Sequence, residues 1–223
     1  MTMEDFATRP QLSEDVARLV RRRIFDGTYA AGRYIRLEQL AAELGISVTP
    51  VREALFDLRA EGLLAQQPRR GFVVLPVTRR DIVDVSDVQS HIGGELAARA
   101  AASITAEQLA EITAIQTRLE AAYDGDDENL VVRLNHDFHR AINVAADSPK
   151  LAQLMSQITR YAPEAVFPTV SGWPEKSTRD HRRVLAALAE GDAEMAREAM
   201  SEHLCAGAEP LIDHLIVRGV IAE

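Results

Sequence analysis

Three of the six histidines in this 223-residue chain lie on the apolar faces of predicted helices. They are His139, His181 and His203, each flanked at helical spacing by aliphatic or aromatic residues. A single inward histidine is usually a hydrogen-bonded core residue, but three that face one interior are costly to bury unless they share a ligand. Imidazole binds divalent transition metals, so the three predict a site for Zn²⁺ or Ni²⁺. His136 and His214 are predicted to lie at the surface.

Further polar residues recur at helical spacing near this interior. Asn135 precedes His139 by four residues and therefore projects from the same helix face. His91, Glu95 and Arg99 recur every four residues on an earlier predicted helix and are candidates to bind an effector in the same pocket. An exposed ion pair between Glu95 and Arg99 explains those two residues equally well.

A cluster of three histidines also has an enzymatic interpretation. Catalytic zinc is held by three protein ligands and activates a water molecule, so a metal-dependent hydrolase is one alternative function. The sequence contains no His-Glu-x-x-His motif, and no clear general base accompanies the three histidines. These absences favour a binding site over a catalytic one.

The C-terminal two-thirds of the chain is predicted to be entirely helical. Thr105 and Gln108 form a capping box, Ser148-Pro149 is typical of a helix start, and Gly191-Asp192 marks a break. The predicted helices span residues 78–103, 105–124, 127–146, 148–163, 175–189 and 192–217, with a loop rich in Pro and Gly at 163–174. About six helices joined by short connections predict an antiparallel bundle.

The N-terminal third has a different pattern. Helical spacing from Leu12 to Ile24 ends before Gly27, and a second short helix is predicted at Leu37–Leu44 before Gly45. A third helix, capped by Ser47 or Thr49 and with Pro50 in its first turn, ends at Gly62. Two extended pieces, 63–65 and 71–75, flank a basic hairpin tip. This order predicts a winged helix-turn-helix, although a three-helix subdomain with a hairpin fits the pattern as well.

The charge distribution separates the same two parts, predicted as residues 1–76 and 77–223. The whole chain has a net charge of −9, which by itself argues against nucleic acid. Residues 1–76 carry 11 basic and 10 acidic side chains, whereas residues 77–223 carry 14 and 24. The acidity therefore belongs to the helical part, and the N-terminal part remains a candidate DNA-binding domain.

Specific strings in both parts resemble a known family. The N-terminal string Pro50-Val51-Arg52-Glu53-Ala54-Leu55, with Leu58, Glu61-Gly62-Leu63 and Arg70-Gly71-Phe72-Val73 in step, resembles the GntR family of bacterial transcription regulators. The later strings Phe138-His139, Asp180-His181, Gly191-Asp192-Ala193 and His203-Leu204 resemble the FCD effector domain of its FadR-like subfamily. The resemblance covers about residues 10–215 and implies a regulator, not an enzyme.

In a winged helix-turn-helix the second helix of the motif enters the major groove, and the wing contacts the phosphate backbone. Arg52 is predicted to read guanine through a bidentate contact. Phosphate contacts are expected from Ser47, Thr49, Arg69, Arg70 and Gly71. For each of Arg33 and Arg36, a phosphate contact and a solvated side chain are equally good interpretations. Arg59 is expected to pair with Asp57 or Glu61 instead. A nearly neutral domain predicts two copies, a homodimer, on a palindromic double-stranded operator.

The resemblance also implies a ligand set for the helical part. The FCD pattern supplies an Asp-x-x-x-His pair and two later histidines to a metal, and the histidines match at His139, His181 and His203. Asn135 occupies the carboxylate position and is a weaker ligand. Either the metal is retained by three imidazoles with open positions, or the site binds its effector by hydrogen bonds alone. The resemblance implies a repressor whose operator binding is controlled by a small organic acid. A DNA-binding architectural protein without an effector is disfavoured by the inward histidines.

The compartment follows from what the sequence lacks. Cys205 is the single cysteine and cannot form an intrachain disulfide, which favours a reducing interior. The first residues contain charges rather than an apolar signal segment, and no apolar run approaches the roughly 18 residues of a membrane span. We therefore expect a cytoplasmic protein, associated with the bacterial nucleoid when bound to DNA, and no membrane partner.

Overall fold

The computed structural model describes residues 9–161, 167 and 170–221. The described chain forms two compact units, which we call the N-terminal unit and the helical unit. The N-terminal unit contains the residues up to Arg79 together with those from Asp213 onward, and the helical unit spans Arg80–Ile212. The predicted division after residue 76 assigned the last residues to the helical part. In the structure, backbone from this last segment packs against the turn at Gly27, where a Cβ would lie 2.8 Å from the Arg218 carbonyl oxygen.

The N-terminal unit is a winged helix-turn-helix, as predicted. Its elements are α1 (Arg9–Phe25), β1 (Tyr34–Ile35), α2 (Leu37–Leu44), α3 (Val48–Ala60), β2 (Leu64–Gln67) and β3 (Gly71–Val74). The three strands form an antiparallel sheet in the order β1-β3-β2, with Leu64 opposite Val74 and Gln67 opposite Gly71. Strand β1 has only two residues and was not predicted, because a pattern that short carries no periodicity.

Local signals explain how the helices of this unit are arranged. Gly45 ends α2 with φ of 66°, a left-handed conformation that glycine adopts without strain, and its N–H donates back to α2. The chain then turns directly into α3. The inner face of α3 is fully buried through Val51, Ala54, Leu55 and Leu58, which leaves its opposite face exposed.

The basic run Arg21-Arg22-Arg23 on α1 forms ion pairs within the N-terminal unit. Arg21 forms a two-pronged ion pair with Glu61 at 2.6 and 3.1 Å, and both side chains are largely buried (14% and 13% exposed). Arg23 pairs with Glu43 at 2.7 Å and donates to the Tyr29 hydroxyl. Two of the three arginines in the run Arg21-Arg22-Arg23 therefore have specific acidic partners.

The chain after β3 contains the helices that the sequence predicted, with one correction. They are α4 (Arg79–Ser103), α5 (Ala106–Tyr123), α6 (Glu128–Ala145), α7 (Pro149–Ile158), α8 (Trp173–Glu190), α9 (Ala193–Cys205) and α10 (Ala208–Val217), with a 3-10 turn at Thr159–Tyr161. The last predicted helix is two helices, because the chain breaks near Gly207, against which the Phe167 ring packs. The predicted helix end at Pro163, and Pro168, lie outside the described residues.

Capping and close packing set the positions of these helices. The Thr105–Gln108 capping box is formed in both directions, at 3.2 and 2.9 Å. Helices α4 and α9 approach closely at Gly94, where a Cβ would lie 2.9 Å from the carbonyl oxygen of Arg197. This approach holds the C-terminal half of α9, which carries His203, against α4. Among the described residues, no helix is both long and apolar enough to cross a membrane.

Candidate metal centre and nucleic-acid interface

The structure brings together the three inward histidines from three different helices. His139 lies on α6, His181 on α8 and His203 on α9, and one ligand nitrogen from each lies within 4.8 Å of the others. His181 and His203 are buried (0% and 4% exposed), and His139 is half-buried. The Phe138 ring stacks on His181 at a centroid distance of 4.0 Å and orients that imidazole. The arrangement follows from the apolar stripe on which each histidine lies.

A hydrogen bond from α5 determines which nitrogen of His181 carries a proton. The Gln116 amide nitrogen donates to Glu120 at 3.0 Å, so its oxygen is the atom that faces His181 Nδ1 at 2.7 Å. An amide oxygen can only accept, and Nδ1 therefore carries the proton in the neutral ring. The Nε2 of His181 is left as an unprotonated lone pair.

The opposite nitrogen of His203 is oriented by a carboxylate. His203 Nδ1 lies 3.5 Å from Asp180 Oδ2, at the outer limit of a hydrogen bond, and has no closer partner among the described residues. His203 and then Lys176 lower the pKa of Asp180 to about 2, so this side chain is a carboxylate at neutral pH. A carboxylate favours the proton on Nδ1 and leaves Nε2 of His203 as a second lone pair.

These two lone pairs face each other. His181 Nε2 and His203 Nε2 are 3.1 Å apart, and two unprotonated nitrogens at that distance repel unless a cation or a proton lies between them. Two nitrogen ligands of one tetrahedral zinc ion are about 3.3 Å apart, given zinc–nitrogen bonds of about 2.0–2.1 Å. The donor set, with both outer nitrogens held by acceptors, fits a divalent metal.

Burial keeps two of the rings in the form that binds metal. Desolvation, followed by the neighbouring histidines, lowers the pKa of His139 and of His181 well below the usual value. Both rings are therefore neutral at pH 7, as a metal ligand must be.

A cavity of about 280 Å³ lies beside the histidines within the helical unit. It is lined by Asn135, His139 and His203, by the outer residues His136 and Arg140, and by apolar groups from α4, α7, α8 and α10. Its lining includes no Asp or Glu side chain among the described residues. A cation at the histidines would thus have no anionic protein group on the cavity side.

The structure places the other three candidate effector residues elsewhere. His91, Glu95 and Arg99 are not among the residues that line this cavity. Successive residues turn by about 100° around a helix, so His91 projects roughly 200° away from Gln89, which does line the cavity. Glu95 instead pairs with Arg99 at 2.8 Å and with Arg197 at 3.1 Å. The contacts of Glu95 and Arg99 are those of the surface-pair alternative, and an effector role for these three residues stays a prediction.

Sequence reasoning missed three residues that shape the site. Gln116 and Asp180 orient two of the histidines, and Trp173 is a buried wall of the cavity that stacks on Phe167 at 4.5 Å. Asp180 directly precedes His181, and that adjacency was the one local signal available. Gln116 is 65 residues from its partner, so no local pattern connects them.

The exposed face of α3 presents the second candidate site. Ser47 is the N-cap of α3 and its side chain makes no capping hydrogen bond, while Thr49 and Arg52 are exposed within the first two turns. Within the described chain, Arg52 has no hydrogen-bond or ion-pair partner. A surface ion pair with Glu53 or Glu43 is the alternative for this arginine, and Glu43 is bound to Arg23. The first amides of a helix also lack internal partners and attract phosphate.

The wing between β2 and β3 presents two exposed arginines. Arg69 has φ of 63°, and the Arg70 guanidinium lies 5.9 Å from the centre of the Tyr34 ring. Gly71 has φ of 95°, and a Cβ there would lie 2.5 Å from the Ile35 carbonyl oxygen. Glycine is therefore required at the wing tip by strand packing, whether or not DNA approaches it.

The remaining arginines of this unit differ in their environment. Arg33 and Arg36 are both exposed; Arg33 lies over the Tyr29 ring at 4.3 Å, whereas the Arg36 side chain has no partner in the described part of the chain. Arg59 lies over the Phe56 ring at 4.8 Å and donates to Gln66 at 3.1 Å. The expected pairing of Arg59 with Asp57 or Glu61 is wrong, since Glu61 is held by Arg21.

Comparison with protein families matches both units. The family of bacterial regulatory proteins named for gntR matches residues 12–74, and the FCD domain matches residues 84–206. The first match contains the helix-turn-helix and wing, and the second contains all three histidines of the cluster.

Individual relatives are regulators. The chain is 28% identical over 200 residues to the "Probable D-xylose utilization operon transcriptional repressor" of Paenarthrobacter nicotinovorans, covering 89% of this chain and 88% of that protein. It is 27% identical over 183 residues to the HTH-type transcriptional regulator McbR of Escherichia coli, covering 79% and 81%. The solved structure of E. coli McbR/YncC superposes with a TM-score of 0.73 at 23% identity, covering 92% of this chain and 97% of that one, which supports the fold.

Proposed function

The chain belongs to the GntR family of bacterial regulatory proteins and carries an FCD domain, and from that premise we propose that it is a metal- and carboxylate-responsive transcription repressor. Its family and relatives are transcription regulators, so it is a DNA-binding regulator and not an enzyme. The hydrolase alternative has no support. The finer proposal is that a small carboxylate, bound with a divalent metal in the helical unit, controls binding to a palindromic operator.

The DNA-binding part of the proposal rests on the exposed cations of the N-terminal unit. Arg52 is positioned to read a guanine from the major groove, and the N-cap Ser47 and the wing arginines are positioned to contact phosphate. One such unit has a net charge near zero and few phosphate contacts, so two copies in a homodimer give the affinity that one lacks. Binding to the chromosome places the protein at the bacterial nucleoid in the cytoplasm.

The metal part rests on one observation, the two Nε2 atoms that face each other at 3.1 Å while their outer nitrogens face Gln116 at 2.7 Å and Asp180 at 3.5 Å. His139, His181 and His203 would hold the ion, with Asn135 as a weaker neutral ligand. A bound Zn²⁺ or Ni²⁺ supplies a localised positive charge in a buried site. The surrounding residues Gln116 and Asp180 favour the tautomers of His181 and His203 that leave Nε2 free for the ion.

The carboxylate part follows from charge. Three imidazoles and an amide are neutral, and the cavity lining contains no acidic side chain among the described residues. A dication in such a site is stabilised by an anionic ligand, and a small carboxylate that enters the cavity provides one. A ligand that binds one conformation of the helical unit more tightly than another shifts the population toward the tighter-binding conformation. This difference in ligand affinity is what regulates DNA binding.

The test uses the full-length protein and DNA selected by it from a random pool. Protein stripped with EDTA is compared with protein reloaded with Zn²⁺ or Ni²⁺, first by thermal unfolding and then by electrophoretic shift with a panel of mono-, di- and tricarboxylic acids. We expect a palindromic consensus, a metal-dependent rise in Tm, and an acid-dependent change in DNA affinity. No metal effect on Tm would overturn the metal part, and no acid effect would overturn the effector part.

A further inference from the structure

The chemical class of the ligand can be read from the cavity walls, on the basis of the function proposed above. The lining has a buried set, which forms the walls, a half-buried set that includes His139 and Asn143, and an exposed set, which forms the rim. Four of the buried set are large and apolar: Ile82, Met155, Trp173 and Leu211. The rim contains His136 and Arg140. A ligand in the cavity therefore leaves water for a mainly hydrocarbon surface.

The polar side chains of the buried walls, apart from His203, are already engaged with the protein backbone. The Ser86 hydroxyl donates to the Leu204 carbonyl at 3.3 Å, and the Gln89 amide donates to the Ile158 carbonyl at 3.2 Å. The Thr159 hydroxyl donates to the Ser156 carbonyl at 3.2 Å. A hydroxyl group on the ligand would lose its bonds to water and meet donors that are already used, at a cost of about 1–3 kcal/mol for a buried polar group left unsatisfied.

The charges of the lining favour one negative charge on the ligand. A metal ion held by the histidines would be one partner for an anion, and Arg140 on the exposed rim is the single arginine or lysine of the lining among the described residues. A second carboxylate on the same ligand would lie against apolar walls or in solvent at the rim. Because burial of an unpaired carboxylate is strongly unfavourable, a dicarboxylate gains nothing from the walls.

Two aromatic rings give one wall a flat, rigid surface. Trp173 stacks on Phe167 with their planes 21° apart, and Phe167 is held against Gly207, where a Cβ would lie 3.1 Å from the ring. Trp173 also lies beside the metal centre, with its ring centroid 6.2 Å from that of His203. A ligand that places its carboxylate at the histidines therefore places its carbon body next to this wall.

We propose that the cavity selects a monocarboxylate whose carbon body is apolar and unsubstituted, and that it discriminates against hydroxylated acids and dicarboxylic acids of the same length. The volume of about 280 Å³ is near the lower end of ligand pockets, about 300–1,000 Å³, and suits one short-chain aliphatic or small aromatic acid. Sugar acids and short dicarboxylates are the classes excluded.

The test compares three six-carbon acids that differ only in the feature at issue: hexanoate, gluconate and adipate. Calorimetric titration of full-length, Zn²⁺-loaded protein is expected to show hexanoate binding at least tenfold more tightly than either of the others. Tighter or equal binding of gluconate or adipate overturns this inference and leaves the proposed carboxylate response standing. Failure of all three acids, and of the wider acid panel, to bind overturns the proposed function itself.

A pair of matched variants locates the bound carbon body. Val85 lines the cavity, whereas Val83 is similarly half-buried on the same helix but does not line it. Val→Thr preserves the shape of the side chain and replaces one methyl group by a hydroxyl, so V85T is expected to weaken hexanoate binding about fivefold through the cost of burying that hydroxyl against the ligand. V83T is expected to bind hexanoate normally. Hexanoate affinity that is unchanged in V85T would show that the carbon body lies outside this cavity and would overturn the inference.

Discussion

In the N-terminal unit the side chains assigned to ligand binding are exposed and permanently charged, whereas in the helical unit they are buried and neutral. Arg52, Arg36 and Arg69 have no protein partner in the described chain, and the fold does not depend on them. His181 and His203 are packed among aromatic rings, and their nitrogens are held by specific partners. The side chains proposed to bind DNA are thus displayed on the surface, and those proposed to bind a metal and its ligand are built into the core.

This difference predicts how each site fails. Removing an exposed arginine takes away a contact to DNA and leaves the fold unchanged. Removing a buried histidine or its orienting partner alters the site itself and is detected through stability. Four variants test the comparison, and they are described from the largest expected effect to the smallest.

The largest effect is expected for His203→Ala, measured as the difference in stability with and without metal. Bound metal at one hundred times its dissociation constant stabilises the native protein by about 2.7 kcal/mol. For a chain of this length that corresponds to roughly 5–10 °C in Tm. We expect the variant to lose this increment on adding Zn²⁺ or Ni²⁺. His91→Ala, which changes an exposed histidine outside the cavity, should keep it; equal increments in both variants would contradict the metal assignment.

Arg52→Ala is expected to reduce discrimination between the selected operator and random DNA. A bidentate contact to guanine contributes about 1–3 kcal/mol of specificity, and the loss applies in each half-site. The Tm should not change, because Arg52 has no partner in the described chain. Arg18→Ala is the matched control, since Arg18 is an exposed arginine paired only with Asp15. An unchanged sequence preference in an electrophoretic shift assay would remove Arg52 from the interface.

Gln116→Met tests whether the partner of a ligand matters as well as the ligand. The substitution removes the acceptor for His181 Nδ1 and keeps a side chain of similar length, so the ring can adopt the other tautomer. Loss of such an orienting partner typically lowers metal affinity 10–100-fold. Competition with a fluorescent chelator measures the affinity. Gln153→Met, at an exposed position, should have no effect, and wild-type affinity in both variants would show that the tautomer of His181 is set elsewhere.

The smallest effect is expected for Glu95→Gln, which tests whether Glu95 binds the effector or only forms surface ion pairs. Arg99, followed by Arg197, lowers the pKa of the Glu95 carboxyl. The folded-state pKa is below the unfolded value of about 4.3, so the stabilisation is present above that pH and is lost as the pH falls through the folded value. The pair is screened by solvent and contributes no more than about 1 kcal/mol.

Urea unfolding at pH 7 and at pH 3.5 measures this contribution. The variant should be slightly less stable than wild type at pH 7, and the difference should shrink at the lower pH. The response of DNA binding to carboxylic acids should be the same as in wild type. A lost response would return Glu95 to the effector site.

Local patterns in the sequence predicted elements wherever a short segment determines its own structure. Helix α2 has the predicted bounds Leu37–Leu44, because Gly45 provides a left-handed C-cap. The Thr105–Gln108 capping box starts α5, and Asp192 caps α9 by accepting from the Met195 amide at 3.0 Å. The same helical periodicity predicted that three histidines face the interior. It could not predict the break before α10, where Phe167, about 40 residues earlier, packs against Gly207.

The sequence by itself determined that this chain is a winged helix-turn-helix followed by a helical domain, that its acidity belongs to the second part, and that three histidines face its interior. Only the tertiary structure decided which atoms meet: Gln116 at His181, Asp180 at His203, and Glu95 at two arginines instead of in the cavity. The physical reason is the range of the interactions. Helix periodicity and capping act within a few residues, whereas the orientation of a ring nitrogen depends on contacts between side chains far apart in the chain.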